Sequence, residues 1–86
     1  MDREQALDAL VRDLIGRWLR VSCVPPCLHL SYLPFKLMAR KHGHLPLRAI
    51  LPRLRCEGCS GRPARAAVVD DPRDAYCTTE PIAVLP

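Results

Sequence analysis

A small α+β fold is what this sequence predicts, and three observations predict it. The chain is short, 86 residues, so it forms one domain at most, and a core of that size supplies only a few kcal/mol. Four of its five cysteines fall in two close pairs, Cys23 with Cys27 and Cys56 with Cys59, and 28 residues lie between the pairs. Apolar residues repeat at helical spacing near the N-terminus and alternate at strand spacing before the first pair. So small a domain needs a staple, and cysteines offer two: disulfides in an oxidising compartment or a bound metal in a reducing one.

The elements follow in order. Asp2 can cap a first helix, with Gln5 at its third position completing a capping box. Leu7, Leu10, Val11, Leu14 and Trp18 then recur at the 3.6-residue period, with Arg3, Arg12 and Asp13 off that stripe, which predicts a helix over 3–16 whose last turn Gly16 weakens. From Trp18 to Cys23, apolar residues alternate with Arg20 and Ser22, the pattern of a strand. Val24-Pro25-Pro26 makes a turn, and residues 28–31 alternate again as the returning strand of a hairpin with thiols at its tip. Pro34 can open a second helix, running through Phe35, Leu37, Met38 and Arg40 to Gly43 as its stop, with Lys41 and His42 complementing the helix dipole. Residues 46–51 add a helical turn before Pro52. Residues 53–56 then read as a short strand into the second pair and 64–69 as its return. Two cysteine-tipped hairpins separated by a helix, preceded by an amphipathic helix, describe a zinc-ribbon-like architecture over residues 1–71. Residues 72–86 have no periodicity and are expected to be a flexible tail.

The chemistry lies in the stretch from Leu54 to Pro63. A Cys-x-x-Cys knuckle brings two thiolates onto one tetrahedral ion at about 2.3 Å each, and a structural zinc needs four such ligands. Cys56 and Cys59 supply two, and Cys23 and Cys27 are the comparable pair that would supply the others. Zn2+ held by Cys23, Cys27, Cys56 and Cys59 is therefore the expected cofactor, against a site that has lost its metal or oxidised pairs as the alternatives. His29, two residues past Cys27 in a strand and so on the same side, is the substitute ligand, whereas His42 and His44 are expected to be exposed at a helix end. Cys77 is expected to be a free thiol.

A strand into a cysteine pair, a Leu-rich helix ending near Gly43, Leu45-Pro46-Leu47, and Leu54-Arg55-Cys56-Glu57-Gly58-Cys59-Ser60-Gly61-Arg62-Pro63 together resemble short zinc-ribbon-like proteins widespread in alphaproteobacteria. The resemblance covers roughly residues 17–69 and implies a zinc ribbon. Cys56 and Cys59 match the second knuckle and Cys23 the first cysteine of the first. The chain departs from the pattern at Cys27, where three residues instead of two separate the pair, and at Ser60, which stands in the place of a glycine.

Charge bears on partners. The net charge is +4, but residues 17–65 hold ten Lys or Arg against Glu57 alone, between acidic ends. Such a middle suits nucleic acid, with Arg53, Arg55, Arg62 and Arg65 on or beside the knuckle and Lys36, Arg40 and Lys41 on the helix. The plainer account is a solvated basic face. Only Trp18, Tyr32, Phe35 and Tyr76 are aromatic, so phosphate contacts are expected to dominate. The rival is a protein partner docking on the first helix or on residues 45–51. An N-terminus with acids in it lacks the apolar core of a signal peptide, and no run of about 18 apolar residues exists to span a membrane, so a cytoplasmic protein is expected. Catalysis is not expected, nor a small-molecule substrate: four thiolates close a coordination sphere, and no Glu stands beside a His. A thiol redox protein, with Arg55 near the Cys56-Cys59 pair to lower a thiol pKa, is the lesser alternative, because a thioredoxin-type pair opens a helix and Ser60-Gly61-Arg62-Pro63 is a poor helix start.

Overall fold

Strands β1 (Trp18–Ser22), β2 (Leu30–Pro34), β3 (Arg65–Val69) and β4 (Ile82–Leu85) form one antiparallel sheet in the order β2-β1-β3-β4. The computed structural model describes residues 1–23, 25–73 and 76–85; Val24 of the expected turn and Asp74, Ala75 and Pro86 of the expected tail lie outside them. Helices α1 (Arg3–Asp8), α2 (Phe35–His42) and α3 (Leu47–Ile50), with 3₁₀ turns over Val11–Leu14 and Leu51–Arg53, pack on one face of the sheet. The small α+β class is as predicted, and the four clustered cysteines are compatible with a zinc-ribbon-like arrangement.

The N-terminal stripe is buried as its period requires, with Leu7, Val11 and Leu14 in the core, but it does not run on one helix. Asp2 and Gln5 form the predicted capping box, and α1 then ends at Asp8. Ala9 and Leu10 turn extended (ψ 139° and 145°). Their backbone is engaged by the chain that follows α2: the Leu47 N–H donates to Ala9 O at 2.9 Å, and the Val11 N–H donates to Leu45 O, also at 2.9 Å. Tertiary pairing has replaced two helical bonds and corrects the expectation of a continuous helix over 3–16. Gly16, at φ 98°, makes the left-handed turn from the 3₁₀ segment into β1.

The first hairpin is present, with Leu19 facing Leu33 and Arg20 facing Tyr32 across β1 and β2. Pro34 caps α2 as the last residue of β2, and Gly43 follows it in right-handed geometry. A side chain at Gly43 would meet Ala39 O at 2.7 Å and Arg12 Cβ at 3.4 Å, so glycine is required by close approach. The second arm differs from expectation. Residues 54–56 form no strand, and β3 pairs with β1, Leu19 opposite Val68 and Val21 opposite Ala66. Residues 82–85, assigned to the flexible tail, form β4 on the outer edge of β3, with Val84 buried at 1% exposure. An apolar run of four residues between prolines carries too little periodicity to be read without its partner.

Candidate metal centre

Two loops meet at one end of the sheet. The first leaves β1 at Cys23 and is closed by the Cys23 N–H donating to His29 O at 3.0 Å, with a cis Pro25–Pro26 peptide and Leu28 at φ 50°. The second lies between the Leu51–Arg53 turn and β3. Within it the Ser60 N–H donates to Cys56 O and the Cys56 N–H to Gly61 O, each at 2.8 Å, while Ser60 takes the left-handed conformation (φ 62°). The Ala64 N–H donates to Ser22 O at 3.0 Å and ties the second loop to the root of the first.

This brings the four predicted sulfurs together: the Sγ atoms of Cys23, Cys27, Cys56 and Cys59 all lie within 4.8 Å of one another. Cys23 and Cys59 are 3.8 Å apart and Cys27 and Cys56 3.5 Å. Sulfurs at about 2.3 Å from a tetrahedral ion are separated by about 3.8 Å, so the donor set fits a metal ion bound by four thiolates. The extra residue in the first loop does not carry Cys27 away from the cluster. Gly58 explains how the loops come so close: a Cβ there would stand 2.9 Å from Cys27 Sγ and 3.1 Å from His29 Cβ.

Thiol charge is unevenly distributed. The backbone N–H of Cys59, and with it that of Gly58, holds the Cys56 thiol down to about 6, against the opposing effect of burial. Removal from water pushes Cys23 up to about 12, and the neighbouring thiols push the same way. For Cys27 the largest influence, the His29 N–H, lowers the value, but Cys56, burial and Cys59 together raise it. One thiolate, that of Cys56, is thus favoured by local amides, and a cation at the centre would favour ionisation of Cys23 and Cys27 beside it. Cys56 is buried and Cys59 exposed, so the cluster sits at the surface under a cleft of about 470 Å³ walled by Pro25 and Pro26.

None of the three histidines belongs to the four-sulfur group, although His29 lines the same cleft. His29 does not belong to the sulfur cluster; its Nε2 faces Glu57 Oε2 at 3.7 Å. His42 ends α2 half-buried and His44 is exposed. Cys77 also stands apart, its Sγ 3.5 Å from Asp71 O.

The cations of the basic middle are dispersed. Arg53, Arg55 and Arg62 are exposed around the second loop, Arg65 is exposed on β3, and Lys36, Arg40 and Lys41 lie along α2. Arg55 is turned onto its own backbone, donating to Pro52 O and Leu54 O. Arg48 joins α3 to α1 through Glu4 at 3.1 Å and Asp8 at 3.0 Å, which removes it from any basic surface. Sequence reasoning missed that Arg20 and Arg65 share one sheet face; alternation places Arg20 on that side, but only the β1–β3 register supplies its neighbour. No described helix is long and apolar enough to cross a membrane. Compared with protein families, curated proteins and solved structures, the chain matches none.

Proposed function

We propose that this chain is a structural-zinc module of the alphaproteobacterial zinc-ribbon-like kind, without catalysis, acting in the cytoplasm and contacting nucleic acid through its basic surface. The observation that supports zinc is the convergence of four Sγ atoms within 4.8 Å. Four thiolates select a soft or borderline tetrahedral ion and leave no open position for substrate, which suits a structural role. The metal would join the end of β1 to the loop entering β3, the two central strands of the sheet. Nucleic-acid contact is supported by ten cations against one acid over residues 17–65.

Elemental analysis of the reduced protein tests the reading directly. About one zinc per chain is expected, with loss of the folded circular dichroism signal on chelation, and Cys56→Ser is expected to lose both metal and fold. A metal-free protein that melts normally, or a Cys56→Ser variant with unchanged melting, rejects the zinc module.

A protein-docking reading is favoured by one patch. Ile15 and Leu37, 52% and 55% exposed, border Trp18 and Pro34 where the 3₁₀ segment, β1 and α2 meet. The first helix and residues 47–51, by contrast, turn Leu7, Leu47 and Ile50 into the core. A partner retained at high salt after nuclease treatment, and released by Leu37→Asp, would establish it.

A further inference from the structure

We propose that the four-cysteine cluster is a modification site for hydroperoxides: Cys59 and Cys27 are oxidised from the cleft, and Cys23 and Cys56 close disulfides onto them across the two loops. Release of an ion on oxidation rests on the zinc reading above, whereas the choice of bridges does not.

Access decides which sulfurs meet the oxidant. Cys59 is exposed, Cys23 and Cys27 are half-buried, and Cys56 is buried at 5% exposure. The cleft of about 470 Å³ over the cluster is lined by Cys23, Cys27 and Cys59, and Cys56 does not line it. A small molecule entering from solvent therefore reaches Cys59 first. Proximity decides which sulfurs pair. Cys23 Sγ lies 3.8 Å from Cys59 Sγ and Cys27 Sγ 3.5 Å from Cys56 Sγ, and both contacts run from the loop after β1 to the loop before β3. A disulfide is about 2.05 Å long, so the two pairs have to close by about 1.8 and 1.5 Å. Spacing in the sequence suggests the opposite pairing, Cys56 with Cys59 and Cys23 with Cys27, each within its own loop.

In the first step Cys59 Sγ, as thiolate, attacks one oxygen of the hydroperoxide. An S–O bond forms, the O–O bond breaks, and the leaving oxygen takes a proton from water; the product is a sulfenic acid. The Cys23 thiolate then attacks Cys59 Sγ. The S–S bond forms, the S–O bond breaks, and the departing hydroxide is protonated to water. Two electrons have passed from the sulfur pair to the peroxide. Cys27, which lines the cleft, repeats the sequence with a second hydroperoxide, and the buried Cys56 closes the bridge. Thiolates are the form that ligates a metal, so sulfurs joined in disulfides give up the ion.

The bridges also replace what the ion does for the fold. Each joins the end of β1 to the loop entering β3, two segments already tied by the Ala64 N–H donating to Ser22 O. Each encloses a long stretch of chain, which restrains the unfolded state more than a bridge within one loop does. Oxidation is expected to leave the sheet folded, whereas chelation of the reduced protein abolishes it.

The reduced protein is treated with hydrogen peroxide beside a chromophoric indicator of free zinc, quenched by thiol alkylation, and digested with trypsin for mass spectrometry. Cleavage after Arg20, Lys36, Arg55 and Arg65 puts Cys23 and Cys27 in one peptide and Cys56 and Cys59 in another. Cross-loop bridges therefore link the two peptides, and within-loop bridges leave them apart. One molar equivalent of peroxide is expected to give peptides joined from Cys23 to Cys59, with Cys27 and Cys56 alkylated. Two equivalents are expected to give both bridges, release of about one zinc per chain, and a circular dichroism spectrum that keeps its sheet signal. Dithiothreitol is expected to restore zinc binding. Cys77→Ser removes the thiol that stands apart from the cluster and is expected to match wild type. Unlinked peptides, a sulfinic acid at Cys59 without a bridge, loss of the sheet signal, or oxidation lost in Cys77→Ser overturns the proposal. Linked peptides from a folded protein that held no zinc at the outset reject the zinc reading and leave the bridges standing; zinc released with within-loop bridges does the reverse.

Discussion

Ser60 and Gly58 show how single backbone positions set the four-cysteine cluster. Ser60 has φ 62°, a conformation that costs a non-glycine residue about 1–2 kcal/mol, part of which glycine returns as chain entropy. The Ser60 side chain is exposed, so its removal uncovers no core. Ser60→Gly is therefore expected to stabilise the metal-loaded protein by about 0.5–1 kcal/mol in a thermal melt. Gly58 works in the opposite sense, because the space its missing Cβ would occupy holds Cys27 Sγ at 2.9 Å. Gly58→Ala must displace either the thiol or the loop. Its metal affinity, measured by competition with a chromophoric chelator, is expected to fall about tenfold or more, the range for removing a group that orients a ligand. Unchanged affinity would mean that the loops separate without moving Cys27.

Among the elements, β4 is the one whose contribution is least expected from its sequence. Val84 is buried against the core beside Ala66 and Val68, and its truncation removes two methyl groups and leaves a void. Val84→Ala is expected to cost about 2 kcal/mol in urea unfolding with little change in slope. A cost near zero would show that β4 is detached in solution. The connection leading to β4 is held by Asp70, whose carboxylate accepts the Thr78 N–H at 2.9 Å, the Thr79 N–H at 3.2 Å and both threonine hydroxyls. The Thr78 hydroxyl, with the amides assisting, holds Asp70 well below its ordinary 3.8, at about 2. A carboxyl whose folded value is depressed stabilises fully above its unfolded value and loses that contribution as pH falls through the folded one. The contribution is thus complete above about pH 5 and drains away between about pH 4 and 2. Asp70→Asn is expected to melt below wild type by an amount constant from about pH 8 to pH 5; a difference that changes across that range would assign the effect to another group.

For the molecule as a whole, magnitudes decide what holds the chain folded. A core in so short a chain leaves a margin of a few kcal/mol, whereas a structural zinc contributes about 10–16 kcal/mol in zinc-finger peptides. Exposed ion pairs such as Arg48 with Glu4 and Asp8 fix the packing of α3 on α1 and add little beyond that. Under the zinc reading, metal removal is expected to abolish the sheet and not merely loosen one end, because the site clasps β1 and the loop entering β3. Hydrogen exchange after chelation checks this, with protection disappearing in β1, β3 and β4 alike. Protection surviving in the sheet would show a core that stands without metal.

The α+β class, the capping box at Asp2 and Gln5, the first hairpin, α2 and the four cysteines were all legible in the sequence, because each rests on short-range signals: periodicity, alternation, turn chemistry and paired thiols. The remaining features arise from contacts between distant segments. The N-terminal helix breaks at Ala9 because the chain after α2 offers its backbone better partners than the next helical turn does. β3 joins β1 instead of closing a second hairpin, and residues 82–85 become a strand only because β3 presents an open edge to them. Arg20, Arg65 and Tyr32 become neighbours through register across three strands. Pairing between distant segments is a property of the assembled sheet, and no local pattern in any one segment records which partner it will find.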